Sequence, residues 1–355
     1  MNEANMLTQI INPEHVAEFA QWQDTCHKFV IVAHTNPDGD AIGSSLAMYH
    51  YLKYLRKKVC VIVPNPFPDF FKWMPGAEHI MPYNRYAQVA DRMIEDAEVI
   101  CCLDFNRLDR IDEMGEKIRA SKAKKILIDH HLEPEMFADV TISHPDQSST
   151  CELLYRFLCD LGYYYRMNST VATCIYTGMM TDTGGFSFNS NNPEIFFIVS
   201  MLLRKHVDKD LIYRKVNYNF SASRLLLQGQ VLSGMEVLPE YHTAILTLSK
   251  NQQQEFRYSK GDSEGFVNMP LQIKDVIFTC FLREDTDKEM VKVSLRSIGE
   301  FPCHIVAAEF NGGGHKNASG GEFPGMDIER ATAKFKEMLE KYKDQLEECY
   351  NQHPK

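Results

Sequence analysis

KFVIVAHTNPDGDAIGSSLAMYHYLKYLRK, residues 28–57, decides the fold. KFVIVAH (28–34) reads as a buried strand, and AIGSSLAMYHYLKYLRK (41–57) carries helical periodicity. The turn between them holds His34, Asp38 and Asp40. The same unit recurs downstream. KVCVIVP (58–64), VICCLDF (99–105) and KKILIDHH (124–131) read as strands, and RIDEMGEKIRAS (110–121) as a helix. ADVTISHP (138–145) adds a strand, and helices follow near 149–161 and 169–181. Strand–helix alternation of this kind predicts an α/β fold, a parallel sheet with helices on both faces, whose ligand crevice lies beyond the carboxyl ends of the strands.

From NNPEIFF (191–197), with Pro193 in a first helical turn, the pattern is helix after helix. YHTAILTLS (241–249), DVIFTCFLRED (275–285) and EMVKVSLRS (289–297) then read as strands of a second sheet, PCHIVAAEF (302–310) as a helix, and the end as a charged helix. The expected organisation is a parallel-sheet domain over 1–190, a helical linker over 191–237 and a smaller α/β domain over 238–345.

The chain has 355 residues, 44% hydrophobic and 24% charged, which supports two ordinary cores. A formal net charge of −10 argues against a protein that coats long duplexes, since those present a basic face. A small phosphorylated substrate stays compatible, because divalent metals would reverse the local sign. The ten cysteines include no CxxC pair and several lie in apolar runs, as free thiols do. MNEANMLTQI lacks the basic and apolar regions of a secretory signal, and no apolar run reaches membrane length. A reduced, cytoplasmic protein with no membrane partner is expected.

Acidic and histidine residues gather where strands end. Asp104 closes VICCLDF, Asp129, His130 and His131 close KKILIDHH, and Asp182 lies in MTDTGGF (180–186). Each alone has an ordinary reading: a turn capped by Asp40, a strand-end Asp104, a helix-capping Asp182, a core histidine. Together they read as one shared site, and ligands of this type without thiolate suit Mn²⁺ or Mg²⁺ better than structural zinc. One strand cannot bury both His130 and His131 on one face, because neighbours alternate. GGGHKNASGG (312–321) is the second signal. Either it is a flexible loop, or Gly312, Gly313, Gly314 and His315 let backbone N–H groups approach an anion. It is not a GxxxxGK[ST] phosphate loop. Arg296 is equally a phosphate contact or a solvated strand-end arginine.

These stretches resemble a known family. HTNPDGDAIGSS, the aspartate of CLDF, the DHH triplet at Asp129–His131 and TDTGGF are similar to the motifs of the DHH phosphoesterases, and GGGHKNASGG to the signature of their DHHA1 domain. The resemblance runs from about residue 15 to residue 340. A DHH–DHHA1 chain with no membrane segment is most similar to NrnA-type nanoRNases, which hydrolyse short oligoribonucleotides and 3′-phosphoadenosine 5′-phosphate (pAp). Exopolyphosphatase-like activity, hydrolysis of linear or cyclic dinucleotides (pApA, c-di-AMP) and a non-catalytic nucleotide sensor are the alternatives.

The resemblance implies two divalent ions, Mn²⁺ first and Mg²⁺ or Co²⁺ as substitutes. His34, Asp38 and Asp104 would hold one, and Asp40, Asp104, His130 and Asp182 the other, with in-line attack by a bridging hydroxide. Asp104, His130 and His131 are then the catalytic residues. His131 serves as phosphate contact or leaving-group acid, and Asp129 orients a histidine. Arg296, Gly312–Gly314 and His315 would grip the rest of the substrate. A homodimer is compatible with this organisation.

Overall fold

The computed structural model describes residues 7–259 and 261–352. The first six residues, part of the stretch read as lacking a targeting signal, lie outside the described residues. In chain order the first unit runs α1 (Pro13–Thr25), β1 (Lys28–Val32), α2 (Gly39–Tyr54), β2 (Lys58–Val63), β3 (Ile80–Pro82), α3 (Tyr83–Glu95), β4 (Val99–Leu103), α4 (Met114–Ala120), β5 (Lys124–Asp129), β6 (Val140–Ser143), α5 (Thr150–Asp160), α6 (Ser169–Asp182), α7 (Pro193–Leu203) and α8 (Lys209–Asn217). Its six strands lie in the order β3-β2-β1-β4-β5-β6, and every pair is parallel. The order reverses between β1 and β4, which opens a crevice beyond their carboxyl ends.

Strand residues alternate between two cores. Phe29, Ile31, Val61, Val63, Cys101, Leu103, Ile126 and Ile128 pack under α1, α2, α5 and α6. Val30, Val32, Ile62, Ile100, Cys102 and Leu127 pack under α3 and α4. Near-continuous Val/Ile runs are what a sheet covered on both faces requires. Two glycines set the approach of α2 to α6. A Cβ on Gly43 would sit 2.6 Å from the Cys174 carbonyl oxygen, and one on Gly178 would sit 2.8 Å from Asp40 Oδ1. With only hydrogens there, α6 lies close enough to bring its last residue, Asp182, to the crevice.

The chain divides between Asn219 and Phe220. Of the helices in 191–237, α7 and α8 bury Ile195, Ile198, Leu202, Ile212 and Val216 in the first core. The second unit comprises α9 (Ala222–Ser233), β7 (Glu236–Leu238), β8 (Thr243–Leu248), α10 (Lys250–Glu255), β9 (Phe278–Glu284), β10 (Met290–Ser297), α11 (Cys303–Ala308), β11 (Gly313–His315), β12 (Ala318–Pro324), α12 (Ile328–Leu339) and α13 (Lys343–Gln352). Its sheet order is β11-β12-β10-β9-β8-β7, with β8 and β9 parallel and the other pairs antiparallel. Helix α9 packs Leu227 and Val231 onto this second sheet. All ten cysteines are unpaired. Among the described residues, no helix is long and apolar enough to cross a membrane.

Candidate metal centre

The strand-end clusters meet at the switch between β1 and β4. After β1, Asn36 takes a left-handed φ of 55°, a conformation asparagine tolerates, and its amide N–H donates to Asn65 Oδ1 at 2.7 Å. The next turn starts α2. Its N-cap is Asp38, not Asp40 as the sequence suggested: Asp38 Oδ1 accepts from the N–H groups of Asp40 at 3.0 Å and Ala41 at 3.1 Å. Asp40 therefore lies in the first turn, with its carboxylate directed inward and 1% exposed.

After β4, Asp104 adopts φ 64° while its N–H donates to the Ile128 carbonyl at 3.1 Å. A non-glycine residue held left-handed costs about 1–3 kcal/mol and persists where surroundings over-determine it. Strand β5 stops at Asp129, so His130 and His131 lie beyond it, free of strand alternation. That is how both neighbours become buried, at 4% and 8% exposure.

Among the described residues of the first unit, three donor groups result, each with its ligand atoms within 4.8 Å of one another: His34, Asp38 and Asp104; Asp40, His130 and Asp182; Asp104, Asp129 and His131. Asp104 joins them. Its Oδ2 lies 3.3 Å from His34 Nε2, and its Oδ1 lies 3.8 Å from His130 Nε2. His34 Nε2 is 3.8 Å from Asp38 Oδ1, and His130 Nε2 is 3.9 Å from Asp40 Oδ2 and 3.4 Å from Asp182 Oδ2. The tautomers follow from the opposite ring edges. His34 Nδ1 lies 2.8 Å from the Thr35 carbonyl oxygen and His130 Nδ1 3.2 Å from that of Gln147. A carbonyl only accepts, so each Nδ1 carries a hydrogen and each Nε2 is the nitrogen that faces the carboxylates, where it holds a proton or, once that proton leaves, offers its lone pair to a cation. His131 differs: Asp129 Oδ1 faces its Nδ1 at 2.7 Å, and Asp129 Oδ2 accepts its backbone N–H at 2.9 Å.

The electrostatics call for cations. Burial, then the neighbouring charges of Asp104 and Asp182, push the Asp40 carboxyl well above the usual range. Burial opposes protonation of His34, but hydrogen bonds and charge from Asp104 and Asp38 outweigh it and bring its pKa up to about 10. In His130 the charges of Asp40, Asp104 and Asp129 likewise overcome burial and raise the pKa. Burial, aided by the Arg110 charge, holds His131 well below its ordinary value. Protons are thus drawn to Asp40, His34 and His130, where a divalent cation would satisfy the same atoms. Oxygen and imidazole donors with no thiolate fit Mn²⁺ or Mg²⁺. Asp38, 53% exposed, and Asp182, 25% exposed, form the open rim over the buried floor.

Sequence reasoning missed the supports at the start of α5. The Thr150 and Cys151 N–H groups donate to Asp40 at 2.6 and 2.9 Å, and Thr150 Oγ1 donates to Asp104 Oδ1 at 2.9 Å. The first turn of a helix thus faces the carboxylates, where its free N–H groups favour negative charge. The signal was present: Ser149 and Glu152 form an S-x-x-E pattern, and Ser149 does cap the helix by accepting the Glu152 N–H at 3.0 Å.

In the second unit, the glycine-rich stretch, for which a flexible loop and an anion-approaching backbone were the two readings, is a β-hairpin, β11 against β12, with Gly313 opposite Gly320 and His315 opposite Ala318. Its glycines permit close strands: a Cβ on Gly312 would lie 2.1 Å from the Gly320 carbonyl oxygen. Ala318 also pairs with Arg296 on β10. Register partners share a face, so Arg296 and His315 flank Ala318 on one side, two strand spacings or about 10 Å apart. Val293, Leu295 and Phe323 occupy the opposite, buried face. Arg296 Nη1 donates to the Leu295 carbonyl at 2.9 Å.

Comparison with known proteins agrees with this architecture. Residues 28–179 match the DHH family, N-terminal domain, and residues 241–348 match the DHHA1 domain. The bifunctional oligoribonuclease and PAP phosphatase NrnA of Thermus thermophilus is 29% identical over 316 residues, 89% of each chain. A solved exopolyphosphatase-related protein from Bacteroides fragilis is 58% identical, with a TM-score of 0.93, covering 96% of this chain and all 100% of its own. RecJ from Thermus thermophilus, solved in complex with Mn²⁺, shares the fold at 13% identity and a TM-score of 0.58, over 96% of this chain and 56% of RecJ. With both domains matched in order along the chain, and a histidine–aspartate cluster within the first, the chain belongs to the DHH family of phosphoesterases and is a phosphoester hydrolase.

Proposed function

We propose that the chain hydrolyses short oligoribonucleotides and pAp to mononucleotides and AMP at a two-cation centre. One observation carries the reading: the two oxygens of the Asp104 carboxylate each face a separate histidine–aspartate group, His34 with Asp38 and His130 with Asp40 and Asp182. His34, Asp38 and Asp104 would hold one cation, and Asp40, Asp104, His130 and Asp182 the other, with Asp104 common to both. Bound divalent cations supply Lewis acidity to the phosphoryl oxygens and lower the pKa of the attacking water. Mn²⁺ suits the donors best, and Mg²⁺ or Co²⁺ fit them too.

The protein's own groups set the rest. The Thr35 and Gln147 carbonyls fix the ligand tautomers of His34 and His130. Asp129 holds His131 by Nδ1, so His131 would meet the substrate through Nε2; burial keeps that nitrogen unprotonated, and the negative charge of a bound phosphate would favour the proton it needs to contact a phosphoryl oxygen or to protonate the leaving oxygen. On the second unit, Arg296 and His315 share a face whose glycines keep its floor low, and they would bind the remaining phosphate and ribose.

The name of the Thermus thermophilus relative supports both substrates, and that of the Bacteroides fragilis chain makes polyphosphate the competing one. The test presents the Mn²⁺-loaded protein with pAp, an RNA dinucleotide, pApA and polyphosphate in parallel. AMP from pAp and mononucleotides from the dinucleotide are expected. Hydrolysis of polyphosphate alone would overturn the proposal.

A further inference from the structure

A fully desolvated ion pair lies directly behind the centre without belonging to it. Glu152 and Arg156, one turn apart on α5, are 0% and 3% exposed. Arg156 Nε and Nη2 both donate to Glu152 Oε1, at 3.2 and 2.7 Å. Glu152 Oε2 accepts from the backbone N–H and the hydroxyl of Ser148, at 2.9 and 2.7 Å. Arg156 Nη1 continues to Glu194 Oε2 at 2.8 Å, and Glu194 Oε1 accepts the Thr8 N–H at 2.9 Å.

What Glu152 clamps is the segment that touches the ligands. Gln147, next to Ser148, gives its carbonyl to His130, while Thr150 and Cys151 give N–H groups to Asp40 and Thr150 gives its hydroxyl to Asp104. Segment 147–151 thus supports three of the four groups assigned to one cation. Of those assigned to the other, it touches only Asp104.

Stability alone explains the pair poorly. Apolar residues of similar volume usually replace a buried ion pair at no cost, because desolvation offsets the attraction. A carboxylate spent on two Ser148 donors instead fixes one short stretch of backbone.

We infer that Glu152 and Arg156 are positioning residues that preorganise the Asp40–His130–Asp182 cation site and leave the His34–Asp38 site largely untouched. The inference rests on the two-cation reading. Supports of this kind change metal affinity about 10–100-fold when removed.

The test titrates the full-length metal-free protein with Mn²⁺ alone and reads free Mn²⁺ by electron paramagnetic resonance. Glu152→Gln keeps one acceptor oxygen and cannot serve both Ser148 and Arg156. It should weaken one of the two sites about tenfold or more and leave the other within about threefold. Arg156→Lys, which retains one donor to Glu152, should fall between it and the wild type. Should Glu152→Gln fail to fold, the paired apolar variant Glu152→Leu/Arg156→Leu removes the Ser148 acceptor and leaves no buried charge on α5; Glu194 loses its arginine but is partly exposed and keeps the Thr8 N–H and hydroxyl, and the same site-selective loss is expected. Leu158→Ala, a buried change on the same helix, lowers the melting temperature and should leave both sites intact. Two unchanged sites in a folded Glu152 variant, or equal weakening of both sites matched by Leu158→Ala, would overturn the inference. A wild type that binds no Mn²⁺ would instead overturn the two-cation reading itself.

Discussion

Adding one methyl group at Gly178 should damage the centre from behind. A Cβ there would lie 2.2 Å from Cys151 Sγ, 3.0 Å from Cys151 Cβ and 2.8 Å from Asp40 Oδ1. Ordinary heavy-atom contacts lie near 3.5–4.0 Å, so α6 must retreat by about 1 Å or Cys151 must swing away. Either movement strains the 2.9 Å hydrogen bond from the Cys151 N–H to Asp40. Overpacking costs about 1–3 kcal/mol, and weakening a hydrogen bond to a carboxylate about 1.5–3 kcal/mol. Alanine returns roughly 1 kcal/mol of helix propensity. The net loss is about 1.5–5 kcal/mol, or a melting temperature about 3–20 °C lower for a unit of this size. Calorimetry on metal-free Gly178→Ala checks it, and Cys151→Ala in the same chain should recover part of the loss. Gly229→Ala calibrates the series. Gly229 is exposed on α9 with nothing within 4 Å of its Cβ, so it should gain about 0.5–1 kcal/mol. A Gly178→Ala protein as stable as the wild type would refute the packing argument.

Other outcomes follow from the same contacts. Thr150→Val removes the hydroxyl from Asp104 and should lower kcat/KM by about one to two decades, from roughly 1.5–3 kcal/mol, with Thr150→Ser restoring most of it; a valine variant within twofold of wild type would contradict this. Asp104→Ala should abolish Mn²⁺ binding at both sites together with all hydrolysis, so a variant that keeps one tight site would show that the carboxylate is not shared. Mn²⁺ binding should release protons and tighten as pH rises from 6 towards about 10. The reason is that Asp104 and Asp38 hold His34 protonated up to about 10, and His130 is raised by Asp40, Asp104 and Asp129; heats that do not vary with buffer ionisation enthalpy would argue against it. His315→Ala should lose about one to two decades in kcat/KM on pAp and keep its Mn²⁺ affinity, whereas equal losses on a small ester such as bis-p-nitrophenyl phosphate would place His315 in the chemistry itself.

The parallel sheet was legible because strands buried on both faces need unbroken Val/Ile runs, as in KFVIV and VICCL. The clustering of His34, Asp38, Asp40, Asp104 and His130 was legible because side chains at strand ends of such a sheet converge. Less legible were features that depend on backbone. The Gln147 carbonyl and the Thr150 and Cys151 N–H groups hold ligands through backbone atoms; the S-x-x-E pattern at Ser149–Glu152 marks a helix start there but not what its N–H groups face. Asp182 arrives through the glycine contacts between α2 and α6, which a sequence pattern does not reveal. Consecutive glycines in GGGHKNASGG suit a loop and a tight hairpin equally, and only the pairing with β10 separates the two. Asp38 and Asp40 are both good cap residues, and the choice between them rests on where α2 begins.

The most direct test of the central claim is anomalous diffraction at the manganese edge from crystals of the Mn²⁺-loaded protein. Two peaks about 3.5–4 Å apart are expected, one beside His34 and Asp38, the other beside Asp40, His130 and Asp182, with the Asp104 carboxylate between them. A single peak, or a pair of peaks without Asp104 between them, would contradict the account.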